Sequence, residues 1–316
     1  MTDGKKYIII KSLKNEKGRF MENIKKIAIT TDSNSGVLPN EYKDKNVFVL
    51  PMPFIINGGQ YFENVNLTQA QFYDFMKNNA SVSTSQPSPG DLLDFWEDLL
   101  KEYDEIVHIP MTSGLSQACN SATRFAKEYG GRIQVVDNKR ISVVLKESIL
   151  DAIELVKQGK SALEIKQVLE ENALDFAIYI SVNEMKYLKK GGRITGAAAM
   201  IGTLLGLKPV LKLGGEKIDK FALPKSQRKA KEVIKEAIRK DIDSKFKQYE
   251  ENGELVISVA YTDNKEIAEE LKQDLIATFP KLTFGFCEPL SLSVSCHVGP
   301  GTIGVAIVRS LVKKNS

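Results

Sequence analysis

Short apolar runs alternate along the chain with stretches of helical period, and turns rich in hydroxyl groups, glycine and proline separate them. Residues Ile24–Thr31 are an apolar run ending in Thr-Asp-Ser, which predicts a buried strand with Asp32 or Ser33 opening a loop or helix. Val47–Ile56 reads as a second strand broken by Pro51 and Pro53, and Asn57-Gly58-Gly59 reads as a turn. Thr68–Asn78 has helical spacing with Thr68 at its N-cap. Thr84–Gly90 is a Ser/Pro loop, and Pro89 stands near the start of an amphipathic helix running to Tyr103. Glu105–Pro110 predicts a strand, Thr112–Ser116 a loop, Gln117–Tyr129 a helix, and Ile133–Asp137 a strand followed by a helix to Lys157.

The second half continues with an amphipathic helix at Ser161–Asn172, a strand at Phe176–Val182, and a short helix from Glu184 that stops at Gly191-Gly192. An apolar helix is expected around Ala197–Leu205. Pro209–Leu213, the turn Gly214-Gly215 and Lys217–Phe221 spell a β-hairpin. A charged helix to Glu251, a strand at Leu255–Tyr261, a helix at Lys265–Ala277 and a strand at Thr283–Glu288 follow. The segment Ser295–Gly304 and a final apolar helix close the chain. Repeated strand–loop–helix order implies a parallel sheet covered by helices. The expected architecture is therefore two-domain α/β: an N-terminal parallel-sheet domain over 24–173 and a smaller C-terminal α/β domain over 174–316. Residues 1–23, Lys-rich around Tyr7–Leu13 and with a second Met at 21, read as an N-terminal extension or an added edge strand. Ligands on such sheets bind at the carboxyl ends of the strands, so the hydroxyl-rich loops 30–33, 84–88 and 112–116 can converge on one rim.

Composition narrows the function. A chain of 316 residues, 42% hydrophobic throughout its length, is long and apolar enough for two folded domains. The net charge of +4 is small and no basic block is interleaved with aromatics, so a nucleic-acid partner is not expected. Cys119, Cys287 and Cys296 have no metal-ligand spacing, and with two histidines they argue for reduced thiols, no metal site and a cytoplasmic protein. The longest charge-free apolar run, Ile194–Leu207, is too short and too glycine-rich to span a bilayer.

Four segments offer chemistry. The hydroxyls of Thr84-Ser85-Gln86-Pro87-Ser88 suit either an anion or the cap of the next helix. In Thr112-Ser113-Gly114-Leu115-Ser116, Gly114 permits close backbone approach, and Ser116 serves an anion at a helix start or caps that helix. Gly191-Gly192-Arg193 places an obligate cation after a turn, whose planar fork suits a carboxylate or simply faces solvent. His297-Val298-Gly299-Pro300-Gly301 predicts a tight loop around an imidazole, either functional or structural, and His108 belongs to a strand in the core. Ser113 or Ser116 with His297 and Asp32 also has the composition of a hydrolase triad, without a Gly-x-Ser-x-Gly elbow. No Walker-type phosphate loop is present.

Taken in order, these segments resemble the DegV family. The matching motifs are Thr31-Asp32-Ser33, Thr84-Ser85-Gln86-Pro87, Ser113-Gly114-Leu115-Ser116, Leu188–Ile194 and His297-Val298-Gly299-Pro300-Gly301, across roughly residues 24–312. The resemblance implies a fatty acid held in an apolar tunnel, with its carboxylate bound by Thr84, Ser116, Arg193 and His297 and with Ser113 contributing. Asp32, Ser33, Gly114 and Gly299 would support those loops, and apolar segments such as Ala197–Leu207 either line the tunnel or are plain core. It further implies a lipid-binding subunit, with no cofactor, that presents its ligand to a separate ATP-dependent fatty acid kinase related to the dihydroxyacetone kinases. The acyl-phosphate made there feeds phospholipid synthesis, and transient membrane contact fits the same role. The alternatives are an acyl-ester hydrolase using Ser116 and His297, and a lipid-sensing regulator. Two departures stand out: Gln117-Ala118 follows Ser116 where the family usually has Gly-Thr, and Lys225-Ser226 stands where it often has Arg-Thr. Lys225 keeps the charge of a kinase-docking arginine but loses its fork.

Overall fold

The computed structural model describes residues 25–78, 80–201 and 206–312. The expected N-terminal extension and residues 202–205 of the expected apolar helix lie outside these residues. The first seven strands are β1 (Ile27–Asp32), β2 (Val47–Leu50), β3 (Pro53–Ile56), β4 (Gly59–Phe62), β5 (Val82–Thr84), β6 (Glu105–Ile109) and β7 (Ile133–Val135). A four-stranded parallel sheet has the order β2-β1-β6-β7. Pro51 ends one strand and Pro53 begins the next, so the expected single strand at 47–56 is split between two sheets. β3 leaves to form a small antiparallel sheet, β4-β3-β5, whose last residue on β5 is Thr84.

The remaining strands are β8 (Phe176–Ser181), β9 (Val210–Leu213), β10 (Ile218–Ala222), β11 (Leu255–Tyr261), β12 (Thr283–Pro289) and β13 (Ile303–Arg309). They make a six-stranded mixed sheet in the order β10-β9-β8-β13-β11-β12. The expected final apolar helix is β13, a central strand between β8 and β11. Both of its faces are covered: Ala306 and Val308 join one hydrophobic cluster, Val305 and Ile307 another. A strand buried on both sides shows an unbroken apolar run, which hides the period of two.

The helix Ser142–Lys157 packs against β1 on one side and β11 and β13 on the other, so it ties the two large sheets together. Its burial extends to Lys146, Glu147 and Asp151. Helix Leu292–Val298 crosses between the small sheet and the turn after β1. It holds His297 in its last turn, so that residue belongs to a helix and not to the expected loop. His108 is buried in β6, as expected, and meets Thr30 Oγ1 through Nδ1 at 2.8 Å. No helix among the described residues is long and apolar enough to cross a membrane.

Candidate functional site

The carboxyl ends of β1 and β6 open toward helix Leu292–Val298, and a cleft of about 270 Å³ lies between them. Four separate elements deliver polar groups to it. Thr84 comes from the end of β5, Ser116 from the loop after β6, Arg193 from the turn after helix Met185–Gly191, and His297 from its own helix. Thr84 Oγ1 and His297 Nε2 meet at 2.9 Å, so residues more than two hundred positions apart share a hydrogen bond. Ser116 Oγ accepts from the Ala118 amide at 3.2 Å and lines the cleft wall, while the helix N-cap is Gln117, one residue further on, and not Ser116. Arg193 donates Nε to the Leu115 carbonyl at 3.3 Å and Nη1 to the Gly191 carbonyl, and no carboxylate among the described residues pairs with it. A partly buried guanidinium without an acid is an anion site in waiting.

Electrostatics fit that reading. Burial, helped by the Arg193 charge, pushes His297 down to about 4, so the imidazole is neutral at neutral pH. Burial likewise lifts the neighbouring Cys296 thiol to about 12, which removes it as a nucleophile. Behind the polar cleft lies a second, wholly apolar cavity of about 70 Å³ between the six-stranded sheet and residues 141–143. Leu115, Ile141, Ile218, Val294 and Val298 line both spaces, so one wall runs from the polar mouth into the apolar interior.

A family model described as "Uncharacterised protein, DegV family" matches residues 26–310. The chain belongs to the DegV family. A DegV domain-containing protein of Deinococcus radiodurans is 30% identical over 282 residues, 89% of this chain and 98% of the relative. Among solved structures, the fatty-acid-binding DegV family protein of Thermus thermophilus superposes with a TM-score of 0.80 at 29% identity, covering 90% of this chain and 99% of the other. DegV of Bacillus subtilis, a fatty acid binding protein, gives a TM-score of 0.77 at 28% identity, with 90% and 99% covered.

Within this DegV fold the sequence-expected residues divide. Thr84, Ser116, Arg193 and His297 line the cleft together. Ser113 is not among its lining residues: its hydroxyl and amide donate to Asp137, and Lys139 Nζ donates to its Oγ at 2.8 Å. Gly114 serves a close approach of a different kind. A Cβ there would lie 2.5 Å from Glu216 Cα, so the glycine seats the loop on the β9–β10 turn, where Thr112 Oγ1 also donates to the Gly215 carbonyl at 2.6 Å. Gly299, at φ +78°, lets Tyr187 pack where a Cβ would come within 2.2 Å of the ring. Asp32 accepts from the Asn34 amide, Asn34 Nδ2 and the Met111 amide, each at 2.9 Å, and Ser33 Oγ accepts from Met52 N at 3.1 Å. Both residues therefore brace the loops around the cleft.

Those bonds also dismantle the triad composition. Asp32 is engaged by Asn34 and Met111, the Nε2 of His297 by Thr84, and the Nδ1 of His297 faces Gly191. None of the described residues of 197–207 lines either space; the apolar walls come from β8, β9, β13 and the 292–298 helix. Asn34 and Ser293 line the cleft although their motifs gave no chemical signal beyond their place beside Thr-Asp-Ser and His297. Asn34 Oδ1 accepts from Ser291 and Ser293, which ties the loop after β1 to the helix bearing His297.

Proposed function

We propose that this protein binds a long-chain fatty acid, with the carboxylate on Arg193, Thr84, Ser116 and His297 and the acyl chain in the apolar space behind them. The observation that carries this reading is the shared wall: a cleft whose guanidinium pairs with no carboxylate among the described residues shares five lining residues with a cavity of no polar surface. Each buried methylene contributes about 0.8 kcal/mol, so an acyl tail supplies most of the affinity. The carboxylate needs donors in compensation, and it finds a cation, two hydroxyls and a neutral imidazole. In the further reading the loaded protein acts in the cytoplasm as a non-enzymatic subunit, and a separate ATP-dependent kinase phosphorylates the bound carboxylate. Lys225, exposed ahead of helix Gln227–Asp241, is the docking residue in that scheme.

Protein purified from a bacterial host is expected to carry fatty acid, released on denaturation and identified by mass spectrometry. Absence of any acyl species, even after loading with oleate, defeats the proposal. With a fatty acid kinase and ATP, the loaded protein is expected to yield acyl-phosphate. If loaded protein gives none while the same kinase works with another DegV protein, the kinase role fails and the binding role stands.

The Gly191 position gives a finer test. A Cβ there would sit 2.4 Å from His297 Nδ1, although the residue closes a helix in which alanine is otherwise favoured. Gly191→Ala is therefore expected to melt within a few degrees of the wild type, yet to bind oleate roughly tenfold more weakly, because the imidazole must turn away from Thr84. Unchanged oleate affinity would mean that the imidazole does not hold the head group.

A further inference from the structure

The wall of the head-group cleft that carries Ser116 and Arg193 is a seam between the two halves of the chain. Leu115 and Ser116 come from the loop after β6, Arg193 from the turn after helix Met185–Gly191, and Ile218 from the start of β10. The loop sits on the β9–β10 turn through the bond from Thr112 to Gly215 and the close approach of Gly114 to Glu216. Ile218, two residues beyond Glu216, donates its amide to the Arg193 carbonyl at 3.0 Å, and Arg193 reaches back to the Leu115 carbonyl. A third segment, the loop after β7, closes the seam. Lys139 Nζ stands 2.8 Å from Ser113 Oγ, 2.8 Å from Asp137 Oδ2 and 3.3 Å from Glu216 Oε1. One ammonium thus joins the loop that carries Ser116 to the turn whose next strand holds Arg193.

The chain invests in this placement. Lys139 has φ +57°, in the left-handed region that disfavours a residue with a long side chain. Its stem lies against the β9–β10 turn, where a Cβ on Gly215 would come within 2.9 Å of Lys139 Cβ. The side chains of Lys139 and Asp137 are 29% and 26% exposed, so solvent screens their pairing less than it would on the open surface. Burial works against ionisation of Asp137, but Lys139 and the Ser113 donors outweigh it and hold the carboxyl below its ordinary value. Lys139 itself does not line the cleft.

We infer that Lys139 is a positioning residue for the carboxylate: by clamping Ser113, Asp137 and Glu216 together it fixes the spacing of Ser116 and Arg193 without touching the ligand. The inference rests on the fatty-acid reading of the cleft and adds the residues that set its donor geometry. A carboxylate responds to that spacing because it must meet a hydroxyl and a guanidinium at hydrogen-bond distance together. An uncharged alcohol head makes no such demand. The clamp also differs in sign from a through-space effect of charge. The field of Lys139 favours an anion and that of Glu216 opposes one, so field effects predict opposite outcomes when the two charges are removed singly. A clamp predicts weaker binding in both cases.

The test is calorimetric titration of the full-length, delipidated protein with oleate, and with oleyl alcohol in parallel. Lys139→Met is expected to bind oleate roughly three- to tenfold more weakly, the loss that accompanies one hydrogen bond. Glu216→Ala is expected to weaken oleate about threefold. Both variants should keep wild-type affinity for oleyl alcohol, and Lys139→Arg, which retains a cation with several donors, should recover most of the loss. If Lys139→Met does not fold, Glu216→Ala decides alone, because its side chain is 71% exposed and its removal leaves the backbone contact with Gly114 in place. The inference is overturned if Glu216→Ala binds oleate as tightly as the wild type or more tightly, or if folded Lys139→Met binds it like the wild type. It is equally overturned if acid and alcohol weaken together, or if Lys139→Arg is as weak as Lys139→Met. In each of those cases wild-type oleate binding, and the fatty-acid reading with it, stands; a wild type that binds no oleate defeats both.

Discussion

Arg193→Met is expected to weaken oleate binding by roughly 10- to 100-fold, the equivalent of about 1.5–3 kcal/mol for a hydrogen bond to a charged group. Methionine keeps an apolar stem of similar length, so the loss isolates the guanidinium. Its two bonds to the Leu115 and Gly191 carbonyls hold it at the cleft, and no carboxylate among the described residues competes for it. The control is oleyl alcohol, which has the same tail and no charge; its affinity should be the same for wild type and variant. His297→Ala is expected to have a smaller effect, because the imidazole held down to about 4 contributes a neutral hydrogen bond. Thr84→Val combined with His297→Ala should cost less than the two single losses added, since the side chains share one bond. Wild-type affinity should also be flat between about pH 6 and 8, because the imidazole, held down to about 4, stays neutral across that range. Equal loss of acid and alcohol on Arg193→Met would show that the residue shapes the cavity and does not read the carboxylate.

Much of this site was legible because each contributing residue sits where a strand or helix ends, and such ends have clear sequence signals. Thr84 precedes a proline-rich turn, Ser116 precedes a helix, and Arg193 follows a Gly-Gly stop. Their convergence was readable only through the family resemblance, since spacing says nothing about which loops share a rim. Ser113 shows the limit. It lies in the same motif as Ser116, yet Asp137 and Lys139 from a different loop turn its hydroxyl to their side. Nothing local to Ser113-Gly114-Leu115-Ser116 distinguishes the two serines. Sequence and fold part where burial erases periodicity: β13 is apolar on both faces, so its run has no period of two and reads as a helix. At Ser142–Lys157 the sequence shows a helix but not its setting: Lys146, Glu147 and Asp151 are buried between the two large sheets. A pattern of charges cannot reveal that they will be paired inside.

Lys146→Met is expected to be the most destabilising single substitution considered, by about 3–5 kcal/mol, read as a fall in the urea midpoint at pH 7. The Lys146 side chain is 2% exposed, and its ammonium joins three parts of the fold: the loop carrying Glu41, the edge strand β12 carrying Glu288, and the helix between the two large sheets. It also lies 5.0 Å from the ring centre of Phe286. Methionine fills the same volume, so the loss is one of charge: two carboxylates are left on one cavity with no cation between them. Replacing Glu288 as well, in Lys146→Met with Glu288→Gln, is expected to recover a large part of the stability, because one of the stranded charges is gone. The pH dependence has a definite sign. Burial works against ionisation of Glu41, but the Lys146 ammonium and the Leu38 amide outweigh it, and its carboxyl is held below the ordinary value. A folded value below the unfolded one means that this contribution is complete above about pH 4.3 and is lost as pH falls through the folded value. Without the ammonium the sign reverses, since burial then works unopposed on the Glu41 carboxyl and acid relieves the strain. The gap between wild type and Lys146→Met should therefore narrow steadily from pH 7 toward pH 4. A gap below about 1 kcal/mol, or one that stays constant with pH, would show that the cluster is a solvated surface ion pair and not a buried clamp.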